Sequence, residues 1–242
     1  MPHLANACPA SEITKRYADW NNKMYPIRFI LRRSQAEKLR NWVQDSCSVK
    51  LTVQDCITGC IVVILNICQE HKLTKITNAA GYRGIPALWA DTALAGNPIY
   101  VIPTDEINPV NVTNIRHIAQ QVRQSLISAR QPDFIQEYMS VAGHYMSLAA
   151  KEDRQFFFGS DPHMMSVNSN LSLDWHSVHF GYPGSVRFHT TGVSKYYLRV
   201  FSANPTETEL EDGIEFCFGV PREIKDGVLE KLEDINSGRF EF

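Results

Sequence analysis

Long apolar runs are missing from this 242-residue sequence: Ile61-Val62-Val63-Ile64-Leu65 is stopped by Asn66, far short of a membrane span. An excess of one charge is missing too. Lys and Arg total 24 against 26 Asp and Glu, a formal net charge of −2, and no basic stripe marks a nucleic-acid binder. The first thirty residues hold Glu12, Asp19 and several polar residues with no apolar h-region, which argues against a secretory signal. The expectation is a cytoplasmic protein without a membrane or nucleic-acid partner. Without a secretory signal, the acceptor-like triplets at Asn111 and Asn170 carry no information about glycosylation.

Recognisable catalytic loops are scarce as well. The Ser/Thr-rich stretch from Ser185 to Ser194 contains no Gly-x-Ser-x-Gly elbow, so a hydrolase-type nucleophile is not indicated. Gly81-Tyr82-Arg83-Gly84 is too short for a phosphate loop and lacks its lysine. The six cysteines, at 8, 47, 56, 60, 68 and 217, do not form a disulfide framework in a chain of this length. Cys56, Cys60 and Cys68 share a helix face with Ile57, Ile61, Ile64 and Leu65, where free cysteine packs as a small hydrophobe. His176, His179 and His189 cluster in sequence, but bulky Phe180 and a Pro-Gly turn intervene, and packing or surface roles explain them better than a metal site. Asp105-Glu106 and Glu211-Asp212 read as solvated turn charges.

What is present is a succession of short, ordinary elements. Met1 to Met24 is polar and aperiodic, an irregular lead-in or a fragment of a broken element. Tyr25 to Leu31 reads as a strand. Ser34-Gln35-Ala36-Glu37 has a capping-box pattern, and Leu39, Trp42 and Val43 follow at helical spacing. Thr52 opens a largely apolar, buried helix running to about Glu70, and Leu73 to Asn78 alternates as a strand. Ile99 to Ile102 is a short strand. Helices follow from Asn114 and over Phe134 to Ala149, the first with Ile115, Ile118, Ala119, Val122 and Leu126 on one face. Ser166 to Leu173 reads as an exposed polar segment. Val186 to Phe188, Tyr196 to Ser202 and Ile214 to Val220 read as strands, and a last helix carries Val228, Leu229, Leu232 and Ile235. This order predicts an α/β (α+β) layer structure with a mixed sheet, and residues 25–242 as a single domain.

One loop carries the most specific signal. His179-Phe180-Gly181-Tyr182-Pro183 places two aromatics around a glycine and reads as a tight, rigid turn. It resembles the Asp-Phe-Gly-Trp-Gly loop of the BAHD-type acyl-CoA-dependent acyltransferases, with His179 in place of the aspartate and Tyr182 in place of the tryptophan. Other stations follow in the family's order. Leu51 to Thr58 is similar to its Ser/Thr-x-x-Asp helix start, and Thr77 to Arg83 to its strand ending in arginine. Ala95-Gly96-Asn97-Pro98-Ile99 is similar to its Phe-Gly-Asn segment, and Ile115 to Leu126 to the helix after it.

The resemblance implies a chloramphenicol-acetyltransferase-like two-layer sandwich, with a mixed sheet and helices on one face. It implies acyl-CoA as co-substrate, no tightly bound cofactor, and a small-molecule hydroxyl or amine as acceptor. The loop would be structural, with Arg83 as its partner. A neutral His179 can exchange a hydrogen bond but cannot offer a guanidinium the two-oxygen fork of a carboxylate. The family's catalytic His-x-x-x-Asp is absent: the residues four beyond the eight histidines are Ala7, Lys75, Gln121, Leu148, Val167, Phe180, Pro183 and Val193. The implied chain is therefore the C-terminal half of such an enzyme, with no catalytic residue of its own. Two further readings stay open. One is a non-catalytic binding or assembly module that associates through the face the other half would cover. The other is an unrelated α/β protein whose loops mimic these motifs, which a sheet built without the two helices between Ser34 and Glu70 would favour.

Overall fold

The computed structural model describes residues 7–85, 98–157, 159, 161–178, 181–182, 187–190, 192–204 and 213–241. The chain opens with strand β1 (Ala7–Pro9), a 3-10 turn and helix α1 (Ile13–Trp20), then β2 (Met24–Arg32) runs straight into α2 (Arg33–Gln44). Helix α3 (Val53–Cys68) precedes β3 (Lys75–Gly81), β4 (Ile99–Pro103), α4 (Ile115–Ala129) and α5 (Pro132–Lys151). The remaining elements are β5 (Arg154–Phe156), β6 (Met164–Ser169), β7 (Tyr197–Ser202), β8 (Gly213–Pro221) and α6 (Lys225–Asn236).

Six strands form one mixed sheet in the order β2-β8-β7-β6-β3-β4, while β1 and β5 pair separately. The central neighbours β7, β6 and β3 are parallel, and the outer pairs are antiparallel. Side chains alternate across each strand. Ile27, Phe29, Leu31, Ile76, Met165, Val167, Leu198 and Val200 therefore point to one face, where α2, α3, α4 and α6 supply the rest of the core. A smaller cluster joins Tyr100 and Ile102 of β4 to Ile135, Tyr138 and Ala142 of α5.

The start of α3 fits the sequence closely. Thr52 accepts from the Asp55 amide, and the Asp55 carboxylate accepts from the Thr52 amide at 2.7 Å, a complete capping box. Asp55 is fully buried and ion-paired to Arg123 of α4 at 2.6 Å, so the cap also ties two helices together. The other end of the helix is held by buried Asn66. Its amide donates to the carbonyls of Leu73 (3.0 Å) and Val112 (2.8 Å), and its oxygen accepts from the Leu73 amide. Both helices between Ser34 and Glu70 are present, which removes the observation that would have favoured an unrelated fold.

Four sequence expectations are corrected. The lead-in is ordered from Ala7: α1 forms, and β1 pairs with β5. Ser34 does not cap α2, because Arg32, still extended at φ −59° and ψ 138°, is the cap residue and Ser34 lies inside the first turn. Ser166 to Ser169 is not an exposed segment but part of β6, with Met165 and Val167 in the core and the polar residues on the opposite face. Arg187 and Phe188 are not in a strand. Phe188 is instead clipped to Asn204, donating to Oδ1 at 2.8 Å and accepting from Nδ2 at 2.6 Å, and it stacks on Trp175 with centroids 4.3 Å apart.

Candidate functional site

The sheet face turned away from α2, α3, α4 and α6 carries a cavity of about 400 Å³, between β3, β6 and β7 below and α1 and residues 192–196 above. Its floor follows from strand register. Thr77 of β3 pairs with Ser166 of β6, and Ser166 with Tyr197 of β7, so three hydroxyl-bearing residues lie in one row across three parallel strands. Thr77 Oγ1 and Ser166 Oγ are 3.0 Å apart, and Asn168, one pair further along, donates to the Tyr197 hydroxyl at 3.2 Å. Arg199 pairs with Asn168 in that next row. It contacts the hydroxyl of Thr190 and lies over the Tyr197 ring at 5.1 Å.

The roof is aromatic. Tyr17 and Trp20, three residues apart on α1, present their rings to the cavity from one face of that helix. The Trp20 indole N–H donates to the Lys195 carbonyl at 3.2 Å, while the Lys195 ammonium sits 4.3 Å from the Trp20 ring centroid. Burial pushes the Lys195 pKa below its ordinary value, and the charge of Glu223 only partly opposes this. Asn21 fixes the same segment, accepting from Ser194 Oγ at 3.0 Å and from the Lys195 amide at 2.9 Å.

Tyr196 is the strut beneath this roof. Its backbone adopts φ +56°, a left-handed conformation that costs a non-glycine residue about 1 kcal/mol or more. The strain is held by bonds on both sides: the Tyr196 amide donates to Gly219 at 2.9 Å, and its carbonyl accepts from Ser166 at 2.9 Å. Burial, then the Glu223 charge, pushes the phenol up to about 12 against a smaller opposing effect of the bond to Gln69, so it is a neutral donor to Gln69 at 2.8 Å.

Of the loop and its partner singled out in the sequence, Gly181 and Tyr182 are described. Gly181 has φ +86°, a conformation that favours glycine, and Tyr182 is 75% exposed. His179, Phe180 and Pro183 lie outside the described residues, and so does any contact of His179 with Arg83, which is exposed in the turn after β3. His189 is exposed, and Trp175 to Ser177 form a 3-10 turn whose start is capped by Asp174 accepting from the Ser177 amide. Cys56 and Cys60 are buried in the core beside Ile57 and Ile61. No residue of the cavity floor was expected to line a site: Thr77 entered only as the start of a strand motif and Ser166 as the start of a polar segment. The available signal was the alternation Met165-Ser166-Val167-Asn168, apolar to the core and polar to the open face.

No family model and no curated protein matches this sequence. Solved structures do match. TRI101 of F. sporotrichioides, crystallised with coenzyme A and T-2, covers 96% of this chain and 51% of its own, with a TM-score of 0.65 and 14% identity. The chain has the fold of about half of TRI101. TRI101 of F. graminearum with ethyl coenzyme A gives 93% and 51%, a TM-score of 0.64 and 14% identity. Vinorine synthase gives 88% and 48%, 0.60 and 13%. The chain thus spans about half the length of these three solved structures. The mixed sheet layered with helices agrees with the chloramphenicol-acetyltransferase-like sandwich expected from the sequence. Among the described residues, no helix is long and apolar enough to cross a membrane.

Proposed function

We propose that this chain is the C-terminal half of a BAHD-type acyl-CoA-dependent acyltransferase, with residues 25–242 forming its one domain and the cytoplasm as its location. The observation that carries the reading is the shared fold over nearly the whole chain with TRI101, a protein twice as long that was crystallised with coenzyme A. The ordered motifs from Leu51 to Pro183 agree with it. In this reading the cavity on the open sheet face forms one wall of the channel where acyl-CoA and a small-molecule alcohol or amine meet. A histidine on the other half takes the acceptor's proton, the freed oxygen or nitrogen attacks the thioester carbonyl, and coenzyme A leaves. The hydroxyl row and Lys195 bind and orient, and no residue of this chain acts as the base. The loop from His179 to Pro183 is structural, with Arg83 as its partner.

The absence of His-x-x-x-Asp from all 242 residues also favours a second reading, a binding module of the same descent that assembles with a partner. Calorimetric titration of coenzyme A into the chain separates the two. Saturable binding is expected if the chain forms a wall of the acyl-CoA channel. A folded chain that takes up no coenzyme A at millimolar concentration, and that self-associates in sedimentation, points to the module.

A further inference from the structure

The cavity has a charge pattern that the acyl-transfer reading does not require. Among the described residues that line it there is no carboxylate, yet two cations, Lys195 and Arg199, are present. Arg199 is already engaged with Thr190 and Tyr197. Lys195 is half-buried, its ammonium rests on the face of Trp20, and among the described residues no acidic side chain forms an ion pair with it. With no carboxylate in ion-pair contact, and Glu223 near enough only to act through its field, the half-buried Lys195 ammonium is stabilised by an anion that enters beside it. The rest of the wall is mainly apolar and aromatic, and the volume of about 400 Å³ suits a molecule of two or three rings. One unpaired ammonium matches a single negative charge. A phosphate brings a second charge, and Arg199, the other cation of this wall, is already engaged.

We propose that the cavity binds a flat, largely apolar molecule bearing one carboxylate. The carboxylate sits against Lys195, the ring body lies between Trp20 and the sheet, and oxygen substituents meet the row of Thr77, Ser166 and Tyr197. This names the ligand class of the site and rests on reading the cavity as part of the acyl-transfer channel.

The test uses a matched pair of probes, 2-naphthoate and the neutral 2-naphthylmethanol, titrated calorimetrically into the native chain and its variants. Saturable binding of naphthoate is expected. Lys195→Met should weaken naphthoate about tenfold while changing naphthylmethanol by less than about twofold, and Lys195→Arg should restore naphthoate. Circular dichroism establishes that each variant is folded, and Lys195→Arg keeps the test decisive if Lys195→Met is not. No saturable naphthoate binding, or an equal loss of both probes in Lys195→Met, overturns the proposal; equal loss would mean that the lysine stem only packs on Trp20. Coenzyme A titrated in parallel separates the two ideas. Naphthoate binding without coenzyme A binding defeats the acyltransferase reading alone, and the converse defeats this proposal alone.

Discussion

Thr77 and Ser166 face each other across two parallel strands, hydroxyl to hydroxyl at 3.0 Å, on the sheet face opposite α2, α3, α4 and α6. A hydroxyl pair in mid-sheet satisfies itself when the cavity is empty and offers lone pairs to a ligand when it is filled. Removing either partner breaks one bond, so Thr77→Val and Ser166→Ala should each destabilise the fold by about 1 kcal/mol. The double variant should lose less than the sum, because the same bond is broken only once. Urea unfolding midpoints of the three variants measure this, and strict additivity would show that the hydroxyls do not interact.

The pair Asp55–Arg123 should matter far more. Asp55 is fully buried and the Arg123 side chain is 21% exposed, so removing the cation strands a carboxylate in the core. Arg123→Met is expected to cost about 3 kcal/mol, in the range measured when one member of a buried pair is deleted. Arg123→Lys keeps the charge but loses the guanidinium's simultaneous hold on Asp55 and Thr52, and should fall between. Denaturation of the three proteins gives the order directly. A Met variant as stable as the parent would mean that the pair does not hold α3 to α4.

Helices α3 and α4 pack closely at Gly59. A Cβ there would lie 2.9 Å from the Ile115 carbonyl oxygen and 3.2 Å from the Ala119 nitrogen, both backbone atoms of the facing helix. Gly59→Ala would ordinarily strengthen a helix. Here it should destabilise by about 1–3 kcal/mol, because the whole interface must shift to admit a methyl group. Thermal unfolding decides the sign, and a raised melting temperature would contradict this packing.

Cysteine chemistry follows from burial. Burial and then the neighbouring Asp55 push the Cys56 thiol up to about 12, and burial, helped by Glu215, pushes Cys217 up to about 11. Cys60 is raised by burial as well. These thiols carry almost no thiolate at pH 8, and their thiolate content grows only as pH approaches those values. With the native protein at pH 8, a thiol-disulfide reagent should label the partly exposed Cys47 first and leave Cys56, Cys60 and Cys217 unmodified on the same timescale. All six cysteines should react in urea. Rapid native labelling of Cys56 would contradict the packing of α3.

The sequence made the helical layer legible because its signals are local. Thr52 and Asp55 announce the start of α3 within four residues, and Asn114 caps α4 by accepting from the His117 amide as its position suggests. The open face was hidden for the opposite reason. Its floor joins residues 77, 166, 197 and 199, and its roof comes from residues 17 and 20, so no window of sequence contains it. The polar side chains of β6 read as exposure when they are the cavity floor. Helix α1 was missed because only eight residues, Ile13–Trp20, carry its pattern. Tyr17 and Trp20 gain their meaning from Phe157, whose ring packs edge-on against both.

In the proposed function this chain forms one half of an acyl-transfer site whose base lies on the other half. Mapping the 5′ end of the transcript and reading the frame upstream of Met1 tests it most directly. A continuous frame bearing His-x-x-x-Asp is expected, and its product should move the acyl group from acyl-CoA to an acceptor alcohol or amine, releasing free coenzyme A, with the activity lost when that histidine becomes alanine. A start at Met1 with no such frame would contradict it and leave the binding module.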